Sequence, residues 1–287
     1  RYATKEAGQL TGIHVERLVN EPSAAALTAS RISGEDEGSY LVFDFGGGTL
    51  DVSLVDCFDN IIEIIAVSGD NRLGGSDFDE EIARQFCIEN DLDFDTLPPQ
   101  RRGVILESAC RAKCALSEKK DVTMQVTDGE FRGQMELNNK KLIEISMPLF
   151  QRMSVPVKKV VNDGKKDMLE VSKTVLVGGS CKMPAVKQYL RHLLSECRIL
   201  AMNPDYMVAL GAGTYAGIKE RKEDIKDLLL TDICPFTLGT GIFNERDAKH
   251  LLMSAIIERN SVLPCSRTER FQTVKDYQKN VSVEVYQ

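Results

Sequence analysis

A short stretch with three consecutive glycines constrains this chain more than any other feature. Residues 41–55 comprise an apolar run, the turn Asp44-Phe-Gly-Gly-Gly-Thr49, and a second run in which apolar and polar residues alternate. This pattern predicts a β-hairpin. The three glycines permit positive φ and a close approach to the main chain, so the free N–H groups of the turn can form an anion-binding nest.

Two aspartates, Asp44 and Asp51, bracket this turn. Carboxylates beside a phosphate cradle would repel the ligand unless a hard cation such as Mg²⁺ lay between them. The combination therefore favours a site for a magnesium-bound nucleotide. A glycine-rich hairpin with solvated aspartates is the alternative, and the turn alone does not exclude it.

Composition sets the broad class of the protein. The 287 residues, 43% of them hydrophobic, suffice for two domains or one two-lobed domain. A net charge of −7 argues against nucleic acid or an anionic membrane as the main partner. Eight cysteines without a repeated C-x-x-C spacing, and the lack of a signal peptide or long apolar run, predict a reduced, cytoplasmic protein. Arg1 and Gln287 suggest that both ends are cut.

The segment before the hairpin predicts a helix over residues 1–12, a strand over residues 13–19 and a second helix that Asn20 caps and Pro22 opens. Glu21 lies at the junction between this strand and this helix. It could act on a ligand, although stabilisation of the helix dipole is the commoner role of a first-turn acid.

A second glycine pair, Gly74 and Gly75, precedes a helix predicted over residues 79–88 and would suit phosphate or ribose contact. Another helix is predicted over residues 102–117. On it, Cys110 and Cys114 are i,i+4 neighbours, and we expect two buried small hydrophobes there in preference to a thiol pair. Strands over residues 122–126 and 131–137 would complete a small α/β insert.

Further along, a long helix is predicted over residues 141–161, broken by Pro148 near its start and by Pro156 near its middle. A buried strand then ends in Gly178 and Gly179 and leads into a helix that Pro184 opens. This repeats the order of strand, glycines and turn, so we expect both glycine turns to face one cleft. Residues 207–218 predict a helix with a face of small residues that permits close packing.

The last part of the chain changes character. A charged segment over residues 219–227 is followed by Leu228, Leu229 and Leu230, an apolar triplet that we expect to dock on another surface. After it, β-type segments are predicted over residues 236–240, 251–257, 270–274 and 281–286. These predict a second, all-β domain.

Six stretches, taken in order, resemble the 70-kDa heat-shock chaperone family of DnaK type. They are residues 20–27, 44–51, 69–79, 175–180, 203–205 and 227–232. Residues 230–239 and 256–260 are most similar to the HscC branch of that family. The resemblance spans essentially the whole chain.

The resemblance implies an α/β fold of the actin/hexokinase (ribonuclease H-like) type, followed by a linker and the start of a β-sandwich that binds extended peptides. The implied boundaries are residues 1–222 for the nucleotide-binding part, with an insert at about 74–140, 223–232 for the linker and 233–287 for the partial sandwich. The implied ligands are ATP or ADP with Mg²⁺. The implied partners are unfolded polypeptide, J-domain proteins and nucleotide-exchange factors, with no nucleic acid and no membrane.

The resemblance also implies roles for individual residues. Asp44 would organise Mg²⁺ through water, while Glu21 and Asp51 would lie by the attacking water and Thr49 by the transferring phosphoryl group. The remaining implied nucleotide contacts are Gly46, Gly47, Gly48, Thr49, Gly74, Gly75, Lys113, Ser117, Gly178, Gly179, Ser180, Lys182 and Asp205. Arg1 and the three leucines would carry signals between domains.

This chain departs from the family at the adenosine site, where Cys110 replaces a ribose-binding Glu and Cys114 replaces a frequent Arg. The family's first phosphate loop and catalytic Lys would precede Arg1. Two other functions therefore stay open beside an ATP-dependent chaperone: a nucleotide-binding scaffold without turnover, and a sugar or polyol kinase of the same superfold. The leucine triplet followed by a β domain argues against the kinase.

Overall fold

The computed structural model describes residues 2–33, 37–58, 61–194, 198–200, 202–219, 229–243, 251–273 and 276–287. Two residues with predicted roles, Arg1 and Leu228, lie outside these ranges, as does most of the predicted linker. No helix within the described ranges is both long enough and apolar enough to cross a lipid bilayer.

Within the described residues the α-helices, α1 to α8 in chain order, are Tyr2–Leu10, Glu21–Ser33, Gly75–Glu89, Pro99–Ala115, Asn139–Ile145, Met147–Asp163, Pro184–Leu193 and Met207–Lys219. Short 3-10 helices lie at Phe94–Thr96, Met168–Glu170 and Gly179–Lys182. The strands β1 to β12 of the same ranges are Gly38–Phe45, Leu50–Phe58, Ile61–Asp70, Asp121–Asp128, Phe131–Asn138, Val171–Val177, Arg198–Ile199, Leu229–Ile233, Leu238–Ile242, Leu252–Ile257, Val262–Leu263 and Val285–Tyr286.

A mixed sheet of seven strands, in the order β11-β8-β3-β2-β1-β6-β7, forms the centre of the molecule. The predicted hairpin is confirmed: β1 and β2 are antiparallel, and their register sets Asp44 opposite Asp51. The strand β6 runs parallel to β1, and β3 continues the antiparallel meander after β2. Parallel neighbours place the ends of β1 and β6 at one edge of the sheet.

The alternation of side chains along β1 divides the core into two parts, because successive residues of a strand point to opposite faces. On one face, Leu41, Phe43 and Phe45 pack with the helices α3, α4, α6 and α7. On the other face, Tyr40 and Val42 pack with α2 and α8. Helices thus cover both faces, as expected for a mixed α/β fold.

The small-residue face of α8 packs against α2, as its composition predicts. A Cβ atom added at Gly211 would lie 1.8 Å from the backbone oxygen of Ala24, so only glycine permits this approach. The Thr28 hydroxyl also donates to the backbone oxygen of Met207 at 2.7 Å.

Three predicted elements before residue 200 are wrong in type or extent. Residues 13–19 form no strand; most of this segment is exposed, and Arg17 lies over the ring of Tyr215 in α8. The helix predicted over residues 141–161 is broken near Pro148, as predicted, into α5 and α6, but Pro156 lies inside α6 and does not break it. The helix predicted from residue 79 begins at Gly75.

The C-terminal part combines two arrangements. The strand β8 adds to the edge of the main sheet and runs parallel to β3, and β11 pairs with β8. The strands β10, β9 and β12 form a separate three-stranded sheet. Residues 270–273, predicted as part of a strand, form none, and the strand predicted over residues 281–286 is limited to Val285–Tyr286.

Candidate functional site

Three carboxylates converge at the edge of the sheet where β1 meets its turn. Asp44 shares a hydrogen bond with Glu21 from the first turn of α2 and faces Asp51 across the hairpin. Burial, then the hydrogen bond and the negative charge of Glu21, and then the charge of Asp51, raise the pKa of Asp44 to about 7. Burial and the charge of Glu21 also raise the pKa of Asp51. The surroundings of both carboxyl groups therefore favour a bound proton, or a cation in its place.

The hairpin turn, with glycines at residues 46–48, packs directly on the loop that contains Gly74 and Gly75. Backbone N–H groups of Gly75 and Ser76 donate to the oxygens of Gly46 and Gly47 at 3.0 and 2.8 Å, and the Ser76 hydroxyl donates to the same Gly47 oxygen at 2.7 Å. A Cβ atom added at Gly74 would lie 2.3 Å from that oxygen. In this conformation, the first N–H groups of α3 therefore bind the hairpin turn.

The turn after β6 completes this edge. Gly178 has φ +85°, and a Cβ atom there would lie 2.5 Å from the backbone oxygen of Phe45 and 3.1 Å from Oδ1 of Asp44. The Ser180 hydroxyl donates to the oxygen of Gly46 at 2.8 Å. The two glycine turns thus lie side by side, as their repeated pattern predicts.

A buried ion pair supports the second glycine loop. Lys113, which is 7% exposed, lies 2.8 Å from Asp79 and donates to the backbone oxygen of Gly75 at 2.5 Å. Burial outweighs the attraction of Lys113 and raises the pKa of Asp79. The ammonium predicted to contact adenosine is therefore paired inside the protein in this conformation.

The remaining predicted contacts lie around the same edge. Lys182 pairs with Asp205, and the Gly178 N–H donates to the oxygen of Pro204 beside it. Ser117 follows the end of α4 and is exposed, as are Gly47, Gly48 and Thr49. Gly179 has open space around its Cα.

The prediction for the two cysteines of α4 is wrong. Cys114 is exposed and Cys110 is only half-buried, because the packed face of the helix is formed by Ile105, Ala109 and Ala112. Both residues are free cysteines.

Sequence reasoning missed Asp79 and Ser76. Ser76 follows the Gly74-Gly75 pair directly, and Asp79 lies one helical turn further along. An acid one turn into a helix near a glycine loop is the signal that could have drawn attention to Asp79. The contact of Ser76 with Gly47 joins residues 29 positions apart. No local pattern encodes such a contact.

The donor set suits a cation held through water. Within the described ranges no group of three or more His, Cys, Asp or Glu side chains is placed to ligate a metal directly. Mg²⁺ usually keeps several waters and binds through one or two carboxylates together with substrate phosphates. Asp44 and its acidic neighbours fit that mode of binding.

A second group of contacts joins the C-terminal part to the main sheet. The guanidinium of Arg259 donates to the backbone oxygen of Val67 at 3.2 Å and pairs with Asp163 at the end of α6. On the other side, Asn20 donates to Asp232 of β8. Leu230 packs against the core that includes Met207 and Ile62, whereas Leu229 is 55% exposed.

Comparison with known proteins gives one consistent family. Residues 1–287 match the family described as "Hsp70 protein". The chain is 36% identical over 301 residues to "Chaperone protein DnaK" of Mycoplasmoides gallisepticum, covering 100% of this chain and 49% of the relative. It is 35% identical to "Chaperone protein dnaK" of Cyanidioschyzon merolae, over 300 residues, and of Emiliania huxleyi, over 296 residues, which covers 100% of this chain and 47% and 46% of those relatives. The chain thus spans about half the length of these curated relatives.

Proposed function

This chain belongs to the Hsp70 family, and from that membership we propose that it binds and hydrolyses ATP to control the binding of unfolded or extended polypeptide. The large mixed sheet with helices on both faces is consistent with the actin/hexokinase-like ATPase fold of this family. Family membership supports a chaperone function, and we add nucleotide turnover and peptide binding to it as proposals.

The observation that carries the proposal is the convergence of Glu21, Asp44 and Asp51 beside two glycine turns at one edge of the sheet. Backbone glycines without side chains allow phosphates to approach, and the acids require a cation before they can lie beside a phosphate. Glycine turns and acidic side chains are each common in proteins. Their convergence at one edge of the sheet fits a site for a Mg²⁺-bound nucleotide better than it fits a glycine-rich hairpin with solvated aspartates.

In this proposal the residues of the cleft act by positioning and by electrostatics. Asp44 would hold Mg²⁺ through water, and the ion would neutralise phosphate charge. Glu21 and Asp51 orient water, and the exposed Thr49 donates to the outer phosphate. Gly46, Gly47, Gly178 and Gly179 leave room for the phosphates and ribose. The paired Lys113 and Lys182 reorient toward adenosine or support the walls around it.

The proposal extends to the longer protein that the relatives represent. The strand β8 couples the sheet to the β-rich part that follows, and that part grips peptide. We propose J-domain proteins and nucleotide-exchange factors as its co-chaperones. We also propose that the protein belongs to the HscC branch of the family and that it acts in the cytoplasm. These points rest on the sequence resemblance and on family membership.

Binding of Mg·ADP and Mg·ATP to this chain by calorimetry tests the first step. Single-turnover hydrolysis, measured on the full gene product where that is longer, tests the second. We expect Asp44→Ala to abolish turnover and Thr49→Ala to slow hydrolysis more than binding. Asp121→Ala, at an exposed position on β4, serves as the control. An Asp44→Ala variant with turnover within a few-fold of wild type would remove this residue from the mechanism.

A further inference from the structure

Two consecutive carbonyl oxygens of the hairpin turn, those of Gly46 and Gly47, each accept two hydrogen bonds. The Gly46 oxygen accepts from the Gly75 N–H at 3.0 Å and from the Ser180 hydroxyl at 2.8 Å. The Gly47 oxygen accepts from the N–H and the hydroxyl of Ser76, at 2.8 and 2.7 Å. Each oxygen therefore has one backbone donor and one serine hydroxyl, and these two donors occupy both of its lone pairs.

The planar peptide group converts this anchoring into a direction for the next N–H group. Both peptides are trans, and in a trans peptide the C=O and the N–H that follows it point in opposite directions. Since both oxygens face the first turn of α3, the N–H groups of Gly47 and Gly48 face away from it. Neither N–H group has a hydrogen-bond partner within the residues that the structure describes. A Cβ atom added at either glycine would meet open space.

The N-terminus of α3 acts on this turn and has no donor left for a ligand. Its Gly75 and Ser76 N–H groups are used by the turn, and the N–H of Gly74 before them donates to the Asp77 carboxylate at 2.7 Å. The positive end of the helix dipole also attracts the two carbonyl oxygens. The sequence pattern predicts phosphate contact at this helix start, but the donors that remain for an anion are those of the hairpin turn.

We propose that Ser76 and Ser180 are positioning residues, whose hydroxyls hold the turn so that the N–H groups of Gly47 and Gly48 donate to a phosphate oxygen of the nucleotide. The proposal rests on the proposed function and refines it. Adjacent N–H groups that face one side form an anion-binding nest. Ser180, predicted as a nucleotide contact, acts through Gly46 instead, and Ser76 gains a role that the sequence did not indicate.

The test measures the affinity of this chain for adenosine and for the magnesium complex of AMP-PNP, a non-hydrolysable ATP analogue, by calorimetry. Ser76→Ala and Ser180→Ala should each weaken binding of the analogue by about threefold to tenfold, the effect of losing one ordinary hydrogen bond. Adenosine has no phosphate, so its affinity should not change. Ser76→Thr keeps the hydroxyl and should bind the analogue as wild type does.

The matched control is Ser154→Ala, because the Ser154 hydroxyl also donates to a backbone oxygen, that of Gln151 at 2.8 Å, but within α6. It should change neither affinity. Equal losses for adenosine and the analogue would indicate general damage to the cleft and would overturn the proposal. Wild-type affinity for the analogue in both alanine variants would overturn it too, as would a Ser76→Thr variant as weak as Ser76→Ala.

Hydrogen exchange separates this proposal from the proposed function. The Gly75 N–H donates to the Gly46 oxygen, so its exchange reports how firmly the turn is held without any nucleotide. Ser76→Ala and Ser180→Ala should accelerate this exchange at least about fivefold, because the turn opens more often, whereas Ser76→Thr should not. A wild-type chain that binds no nucleotide would count against the proposed function, and unchanged exchange in both alanine variants would show that the hydroxyls do not hold the turn.

Discussion

Asp44 lies in surroundings that penalise its own ionisation. The hairpin register places Asp51 opposite it, and α2 brings Glu21 within hydrogen-bond distance. Its pKa of about 7, against 3.8 for an ordinary Asp, means that the folded protein keeps a proton that the unfolded chain loses between about pH 4 and 7. Stability therefore falls as the pH rises through that range.

Replacement of Asp44 by Asn removes this loss, because the amide stays neutral at every pH. Without nucleotide or Mg²⁺, we expect Asp44→Asn to match wild type near pH 4 and to exceed it near pH 8 by about 2 kcal/mol, roughly half the full linkage value because the carboxyl is partly solvated. Urea unfolding at both pH values measures the difference. The control Asp121→Asn should show none, and an equal effect of Asp44→Asn at both pH values would contradict the explanation.

The pair of Lys113 and Asp79 offers a second test at this scale. Lys113→Met leaves a buried carboxylate without its partner, which typically costs about 3–5 kcal/mol. Adding Asp79→Asn removes the charge, so the double variant should be less destabilised than the sum of the single variants. Urea unfolding of all four proteins gives the coupling energy.

The exposed pair of Lys140 and Glu144 is the matched control, with its charged groups 3.8 Å apart. Lys140→Met should change stability by less than about 1 kcal/mol. Additive effects of the Lys113 and Asp79 substitutions would show that the two side chains do not interact.

The structural role of a single residue could be predicted from sequence where that role depends on its neighbours in the chain. The turn at residues 44–49 follows from three glycines between two apolar runs, and the structure has it there. The partner of Lys113 lies 34 positions away on another helix, and the exposure of Cys114 depends on which face of α4 is packed. Both depend on tertiary packing, which local patterns do not specify.

At the scale of elements, the helix α3 shows how a neighbouring loop sets a boundary. Its predicted start was residue 79, but its first turn begins at Gly75 because N–H groups there donate to the oxygens of Gly46 and Gly47. A helix start otherwise needs a side-chain cap or water for these donors. The Asp77 carboxylate also accepts from the Gly74 N–H at 2.7 Å, which is a local cap that a sequence can indicate. The cap supplied by the distant backbone of the hairpin turn leaves no local pattern.

This packing predicts opposite effects of the same substitution at two glycines. Gly74→Ala places a methyl group 2.3 Å from backbone atoms of Gly47 and Gly48, so we expect a loss of about 1–3 kcal/mol and weaker nucleotide binding. Gly103→Ala, at an exposed position within α4 with open space around it, should gain about 0.5–1 kcal/mol. Thermal unfolding compares the two variants, and a neutral Gly74→Ala would show that the loops separate readily.

Strands with an apolar run or a sustained alternation were also predictable, as β1, β2, β4 and β5 demonstrate. The failures are segments whose structure depends on a neighbour. Residues 13–19 are β-prone but contact helix α8 through Arg17 instead of a strand. The two-residue strands β7 and β11 exist because β6 and β8 lie beside them.

At the scale of the molecule, the strand β3 connects the candidate site with the C-terminal part. Its first residues, Ile61 and Ile62, pair with Leu229 and Leu230 of β8, and near its other end Gly69 pairs with Asp51. The sequence predicted that the leucines dock, but not on which edge of the sheet, since an apolar triplet does not specify its partner. A parallel addition to β3 is a topological fact that local patterns do not encode.

The neighbouring leucines of β8 differ in exposure. Leu230 packs against the core, whereas Leu229 is more than half exposed. Leu230→Asp removes part of the roughly 1.5–3 kcal/mol that full burial of a leucine yields and places a charge against apolar side chains, so β8 should detach. Leu229→Asp keeps the same backbone pairing and serves as the matched control.

Hydrogen exchange at residues 61–63 should then accelerate at least tenfold in Leu230→Asp and less than twofold in Leu229→Asp, because β8 protects that edge of β3. Nucleotide affinity should stay within twofold in both variants, since the carboxylates lie at the opposite end of the strand. In the full gene product, Leu230→Asp should also weaken the effect of ATP on peptide affinity. If peptide release by ATP remained complete in a variant whose β3 edge exchanges rapidly, then coupling between the two parts would run through the contacts of Arg259 with Val67 and Asp163 and not through β8.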